Sequence, residues 1–199
     1  MAFSRSCREE NTSLSAVASE LEAIRCVPSV SGAQFPPACQ NLLHRLPGNS
    51  RCIDCSAPRP KWASVSYGVM LCVQCAGRHR SYGVMNSVVK SVDMDTWNQT
   101  QVLAMLEGGN EQLGSFFERH QMGTVDMTCQ RYKTKAALFY RTHLKKHVDQ
   151  VACSGPYQGR EATRRSHRSE TGQHQRQQQT MHVDKPMRNT IQQQGIAAS

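Results

Sequence analysis

The sequence predicts a small α+β domain, in which a short three-stranded sheet is flanked by helices and tied by a cluster of cysteines. Three observations lead there. Two Cys-x-x-Cys pairs, Cys52/Cys55 and Cys72/Cys75, stand sixteen residues apart. Short β-type runs lie between and just after the pairs, and segments with helical period follow. Residues before 36 are rich in Ser and Ala, and large apolar residues become rare after residue 150. Residues 36–150 therefore read as the domain, with 1–35 and 151–199 as disordered tails.

The cysteine spacing falls within the window for a four-thiolate zinc site. Two residues between cysteines let the backbone fold into a tight knuckle that aims both sulfurs at one ion. Two knuckles complete a tetrahedron with Zn–S bonds of about 2.3 Å. All four ligands come from the protein, so no coordination position is left for water. The predicted cofactor is one zinc with a structural role. A redox Cys-x-x-Cys is the weaker reading, because two pairs are present and no thioredoxin-like pattern surrounds either.

Taken in order, residues 1–35 are rich in Ser and Ala. Leu14 to Ile24 could form a short helix, since Leu14, Val17, Ala18, Leu21 and Ile24 share a face. A lone helix has no visible partner, and the segment reads as mostly disordered. Pro36-Pro37 opens a short helix with Leu42, Leu43 and Leu46 on its apolar side, and Pro47-Gly48-Asn49 stops it. Trp62 to Tyr67 and Val69 to Leu71 read as strands broken at Gly68, and Ser87 to Val92 as a third. Met94, Trp97, Val102, Met105 and Leu106 line a helix that ends at Gly108-Gly109. Asn110 is placed to cap the next helix, in which Leu113, Phe116, Phe117 and His120 recur at helical spacing. A last helix spans about Thr134 to Val148, with Ala137, Tyr140, Leu144 and Val148 inward. The tail beyond is rich in Gln, Arg, Ser and His, and cannot bury enough apolar surface to offset its ordering entropy.

Lys and Arg outnumber Asp and Glu by 24 to 15, a formal charge of +9. The split is −1 over residues 1–35, +6 over 36–150 and +4 over 151–199. Such a domain suits acidic partners: nucleic acid, an anionic membrane surface or an acidic protein face. Nine cysteines include five outside the pairs, Cys7, Cys26, Cys39, Cys129 and Cys153, with no regular framework. No signal-type leader and no run long enough to span a bilayer is present. Together these predict a reducing compartment, with the cytoplasm as default.

The residues after Cys75 are more specific. Gly77, His79, Arg80, Gly83 and Val84 are followed by Ser87, Val89, Lys90 and Ser91, then Asp95, Trp97 and Gly108-Gly109-Asn110. This pattern resembles the zinc-finger GTPase-activating domain of the ADP-ribosylation-factor GTPase-activating proteins, the ArfGAP family. The resemblance runs from Leu42 to Val148. The wording GRHR, and RYKTKAALFYR at Arg131 to Arg141, is similar to the Golgi-type branch. The family implies an activator of GTP hydrolysis on an Arf-type small GTPase, regulating vesicle traffic. It would not be an enzyme by itself, but would supply a catalytic arginine in trans.

The family's catalytic arginine follows the histidine of the motif, which is Arg80 here. Arg78 sits where the family varies. The resemblance also implies partner-binding roles for Trp62, His79, Lys90 and Asp95, with Trp62 either core or partner-facing and His79 either bracing the segment or facing the partner. The implied partners are a GTP-bound Arf-family GTPase and, further out, an anionic membrane surface at the Golgi and coat proteins. The chain departs from the family at Met85-Asn86, where histidine usually follows Gly83-Val84, and at Tyr82, where leucine is preferred. Two other readings compete. One is a non-catalytic scaffold with the same fold. The other is a nucleic-acid-binding finger, which would need a basic helix directly after the second knuckle. The sequence reads there as a turn through Gly83 into a strand.

Overall fold

The computed structural model describes residues 3–26, 33–122 and 128–165. Its elements are helices α1 (Phe3–Arg25) and α2 (Pro37–Arg45), strands β1 (Trp62–Ser64) and β2 (Val69–Leu71), helix α3 (Val73–Ser81) and strand β3 (Val89–Ser91). Helices α4 (Gln99–Glu107), α5 (Asn110–Arg119), α6 (Thr128–Arg131) and α7 (Lys135–Cys153) follow. The predicted α+β class holds: one antiparallel sheet in the order β2-β1-β3, flanked by helices.

The sheet is shorter than the β-type runs suggested. After Ser64 the chain turns, with the Tyr67 N–H on the Ser64 carbonyl and the Gly68 N–H on the Val65 carbonyl. Gly68 has φ +64°, and a Cβ there would lie 2.3 Å from the Ala104 carbonyl oxygen. Only glycine fits, because the β1–β2 turn packs directly onto the end of α4. The Gly109 N–H closes this contact on the Gly68 carbonyl at 2.7 Å.

Helix α4 starts later than Met94, which is 72% exposed. Asn98 is its true N-cap, in a reciprocal capping box with Gln101. Trp97 lies before the helix, fully buried, and pairs edge-on with Phe35. Asn110 was expected to cap α5 but is its first helical residue. Its side chain reaches across the domain instead. It accepts from the Met70 N–H at 2.7 Å and donates to the Arg51 carbonyl at 2.5 Å, tying β2 to the first knuckle. On α7 the inward residues are those predicted, Ala137, Tyr140, Leu144 and Val148, extended by Val151.

Both predicted boundaries move outward. Where disorder was expected, α1 buries Val17, Leu21 and Ile24 against α2 and α4. Its Glu20 carboxylate accepts the N–H groups of Ala38 and Cys39, both at 3.0 Å. Those are orphan donors at the N-terminus of α2, which Pro36 cannot cap with a side chain. The partner of α1 is thus a helix end eighteen residues away, which helical periodicity cannot reveal. At the other end, Tyr157 donates to Glu107 at 2.7 Å, and Arg160 donates to the Gly108 carbonyl and to Gln112. Glu107 is fully buried, and His147 meets its second oxygen at 2.8 Å. A buried carboxylate needs such partners, so the folded unit extends to Arg160. The described residues 161–165 are helical and belong to a second unit. The disorder expected over 166–199, and over residues 1, 2 and 27–32, lies outside the described residues.

Candidate metal centre and the arginine beside it

The first knuckle is shaped by backbone bonds. The Cys52 N–H donates to the Ala57 carbonyl at 2.8 Å, and the Ser56 N–H to the Cys52 carbonyl at 2.9 Å. The second knuckle is the start of α3. Cys72 is its N-cap, and its sulfur accepts the Cys75 N–H at 3.4 Å. The four sulfurs of Cys52, Cys55, Cys72 and Cys75 lie within 4.8 Å of one another. A tetrahedron with bonds of about 2.3 Å sets its sulfurs about 3.8 Å apart, so the group fits one metal ion.

Burial sets the thiols of the cluster apart in titration. Burial pushes the Cys52 thiol up to about 11. It pushes Cys75 higher still, with the neighbouring thiols adding to it. For Cys72, burial is outweighed by backbone N–H and thiol donors, which hold it below the usual range. Four thiolates cannot gather here without a cation to offset their charge.

Helix α3 was not expected, and it carries the candidate arginine. Cys75, Ala76 and His79 face inward, while Arg78 and Arg80 are exposed. A basic helix does therefore follow the second knuckle, as the nucleic-acid reading requires. Only Arg78 and Arg80 of its basic side chains face outward, however, because its histidine is fully buried.

His79 is the bolt that holds this helix. Its Nε2 meets Asp54 at 3.1 Å and its Nδ1 meets the Ser87 hydroxyl at 2.8 Å. Asp54 lies between Cys52 and Cys55, so the first knuckle and the arginine helix are joined side chain to side chain. The same carboxylate accepts from Arg131 at 2.5 Å and from the Tyr132 hydroxyl at 2.7 Å. Burial alone would raise the Asp54 carboxyl, but His79, Tyr132 and Arg131 together hold it below its usual range. Tyr132 is pushed well up by burial and by the Asp54 carboxylate.

Ser87, His79 and Asp54 thus line up as serine, histidine and aspartate, with the two ring nitrogens exchanged relative to a hydrolase triad. No substrate can reach them. His79 is 0% exposed, Ser87 2% and the Asp54 side chain 2%, and Ser87 also bonds Ser64 at 2.7 Å. Their role is to brace.

Arg80 lies on the last turn of α3, with its guanidinium carbon 4.3 Å from the centre of the Trp62 ring. Trp62, half-buried at the start of β1, gives the arginine a platform and restricts its rotamers. The other sequence-predicted residues are placed differently. His79 is buried and offers no surface to a partner. Lys90 donates to the Thr96 carbonyl and to Gln101 at 2.8 Å, and Asp95 accepts the Ser91 N–H at 2.6 Å. Both hold the β3–α4 turn and are half-exposed. Sequence reasoning missed Asp54, Arg131 and Tyr132 as site residues, because their pairing spans 77 and 78 residues and leaves no local pattern.

Fold and site together define a cysteine-knuckle α+β domain with an exposed arginine on a braced helix. Residues 38–153, more than half of the chain, match the family model ArfGap, described as "Putative GTPase activating protein for Arf". The chain belongs to this family. It is 44% identical over 104 residues to the Mus musculus "ADP-ribosylation factor GTPase-activating protein 3", a match covering 52% of this chain and 20% of that protein. To the Saccharomyces cerevisiae "ADP-ribosylation factor GTPase-activating protein GCS1" it is 41% identical over 80 residues, covering 40% and 23%. Among solved structures it is similar to a "putative GTPase activating protein for ADP ribosylation factor from Cryptosporidium parvum". That likeness has a TM-score of 0.55 and 25% identity, and covers 61% of this chain and 99% of that one. The chain spans about a fifth of the length of these two curated relatives.

Proposed function

We propose that this domain stimulates GTP hydrolysis on an Arf-type small GTPase by presenting Arg80 to the transferring phosphate. The observation that carries this reading is the exposed Arg80 guanidinium, laid on Trp62 at the end of a helix bolted to the cysteine knuckle. A small GTPase holds phosphate and Mg²⁺ with its own loops and orients the water with its own glutamine. It lacks positive charge where negative charge spreads in the transition state. A planar, permanently charged guanidinium supplies it, worth roughly 10³ to 10⁵ in rate. That corresponds to about 4 to 7 kcal/mol of barrier.

The rest of the site makes that arginine cheap to use. The Trp62 stack is worth about 0.5–1 kcal/mol at an exposed position, so Arg80 leaves it readily for phosphate. The four cysteines would hold one zinc, with no open position, and its contribution is to fix the knuckles. Asp54 and His79 carry that rigidity to α3, and a positioned group avoids the entropy cost of finding its place. The chain supplies its arginine in trans, and the bond is broken in the GTPase's own site.

We place this activity in the cytoplasm, peripheral at Golgi membranes, on the likeness of its motif wording to the Golgi-type branch. Among the described residues, no helix is long and apolar enough to cross a membrane. The formal charge of +9 supports attraction to anionic lipid as a further contact. Hydrolysis on a purified Arf-type GTPase, with and without Arg80, tests the proposal. A domain that binds the GTPase without accelerating it would establish the scaffold reading instead.

A further inference from the structure

The turn after α3 exposes the two most accessible large apolar side chains among the described residues. Val84 is 75% exposed and Met85 84%. Two adjacent apolar residues on a floppy loop would mean little. This turn is held from several sides. The Gly83 N–H donates to the Arg80 carbonyl at 3.1 Å, and the N–H groups of Asn86 and Ser87 both donate to the Gly83 carbonyl at 2.9 Å. Gly83 has φ +79°, which lets the chain reverse here. The Asn86 amide donates to the Tyr82 carbonyl at 2.8 Å, and Arg141 of α7 donates to Asn86 at both its side-chain oxygen, 2.9 Å, and its carbonyl, 3.1 Å. Ser87 is fixed by His79. The fold therefore invests in holding an apolar tip in water, and gains no core from it.

Met85 also lines a groove of about 400 Å³ between α4 and α7, in which Val65, Val88 and Leu144 alternate with polar residues such as Arg141 and Lys145. The apolar surface thus continues behind the tip. On its other side the turn begins on the carbonyl of Arg80.

We propose that Val84 and Met85 are an apolar anchor that packs on the GTPase beside the site Arg80 enters, supplying affinity and not chemistry. This rests on the GTPase-activating reading above. The occupant follows from continuity with Arg80. A standard protein interface covers about 800 Å² of one partner, and only four residues separate Arg80 from Met85 along a turn bonded back to the Arg80 carbonyl, so a partner seated on Arg80 also reaches the tip. Methionine suits the task, being unbranched and polarizable, and fits an uneven apolar surface. Contacts made equally in ground and transition states lower the half-saturating concentration without changing the limiting rate. Arg80 acts on the limiting rate, and the tip on the concentration needed to reach it.

The experiment is single-turnover GTP hydrolysis on a soluble Arf-type GTPase, without membranes, titrated with the full chain. Met85→Ser and the double variant Val84→Ser/Met85→Ser are compared with wild type, Arg80→Ala and Met85→Leu. The expected result is a half-maximal activator concentration raised about tenfold in Met85→Ser and further in the double variant, with the saturating rate within about twofold of wild type. Met85→Leu stays near wild type, and melting temperature and metal content are unchanged throughout. An unchanged half-maximal concentration in the double variant, while Arg80→Ala abolishes stimulation, overturns this inference and leaves the activating role standing. Loss confined to pelleting with anionic vesicles makes the tip a lipid contact and also overturns it. A wild-type chain that stimulates no GTPase removes the activating role, and the anchor with it.

Discussion

Asp54 does more for this site than its position between two cysteines suggests. One carboxylate gathers His79, Arg131 and Tyr132, and so joins the first knuckle to α3 and to α6. Arg131 is itself 5% exposed, so removing Asp54 leaves a buried cation without its counter-charge. Breaking such a pair costs about 3–5 kcal/mol, much of it the stranded charge. Asp54→Asn should lower the urea midpoint accordingly, and the double variant Asp54→Asn/Arg131→Met should lose less than the sum of the two single changes. Additive losses would mean that the two residues do not act as a pair. At this scale the cysteines were legible from their fixed short spacing, whereas Arg80 was singled out only through the family resemblance of the motif around it. Asp54 was not, because its meaning comes from residues far along the chain.

Among the elements, sequence reasoning lost α1, α3 and the single-turn α6, the first two for different reasons. The apolar face of α1 was visible, but a face predicts burial only when a partner is known. Here the partner is α4 together with the N-terminus of α2, met through Glu20. Helix α3 was hidden because GRHR carries little apolar period and its inward positions are cysteine, alanine and histidine. A buried histidine reads as polar until its two partners are seen. The strands were legible from their short β-type runs, although those runs proved shorter, and α2, α5 and the inward face of α7 from the period of their apolar residues. Glu20 gives the test at this scale. Glu20→Ala removes the acceptor for two N–H groups at a helix N-terminus, and should cost about 1–2 kcal/mol. The measurement is urea unfolding, with the midpoint lowered and the slope unchanged. No shift in midpoint would show that α2 does not depend on α1.

For the molecule as a whole, the folded unit is longer at both ends than apolar composition suggested. Tyr157 and Arg160 lie in a stretch that reads as tail, yet they close over Glu107 and the carbonyls at the end of α4. The driving force is polar satisfaction at a buried carboxylate, and hydrophobicity alone does not register it. A chain ending at residue 150 therefore loses Val151, Tyr157 and Arg160 from the domain, and should unfold at lower temperature than one ending at residue 165. Equal melting temperatures would restore the shorter boundary.

The central claim is that Arg80 is a positioned catalytic group and not one charge of a basic surface. Its most direct test is single-turnover GTP hydrolysis on an Arf-type GTPase with excess activator, comparing Arg80→Ala, Arg80→Lys and Arg78→Ala. Arg78 is the internal control, since it is exposed on the same helix two residues away. Arg80→Ala should keep its metal and its thermal stability, and lose at least about 100-fold in stimulated rate, within the reach of an arginine finger. Arg80→Lys should fail nearly as badly, because an ammonium cannot reproduce the planar fork of the guanidinium. Arg78→Ala should cost no more than a few-fold, through weaker encounter. Equal, small losses at Arg80 and Arg78 would contradict the account.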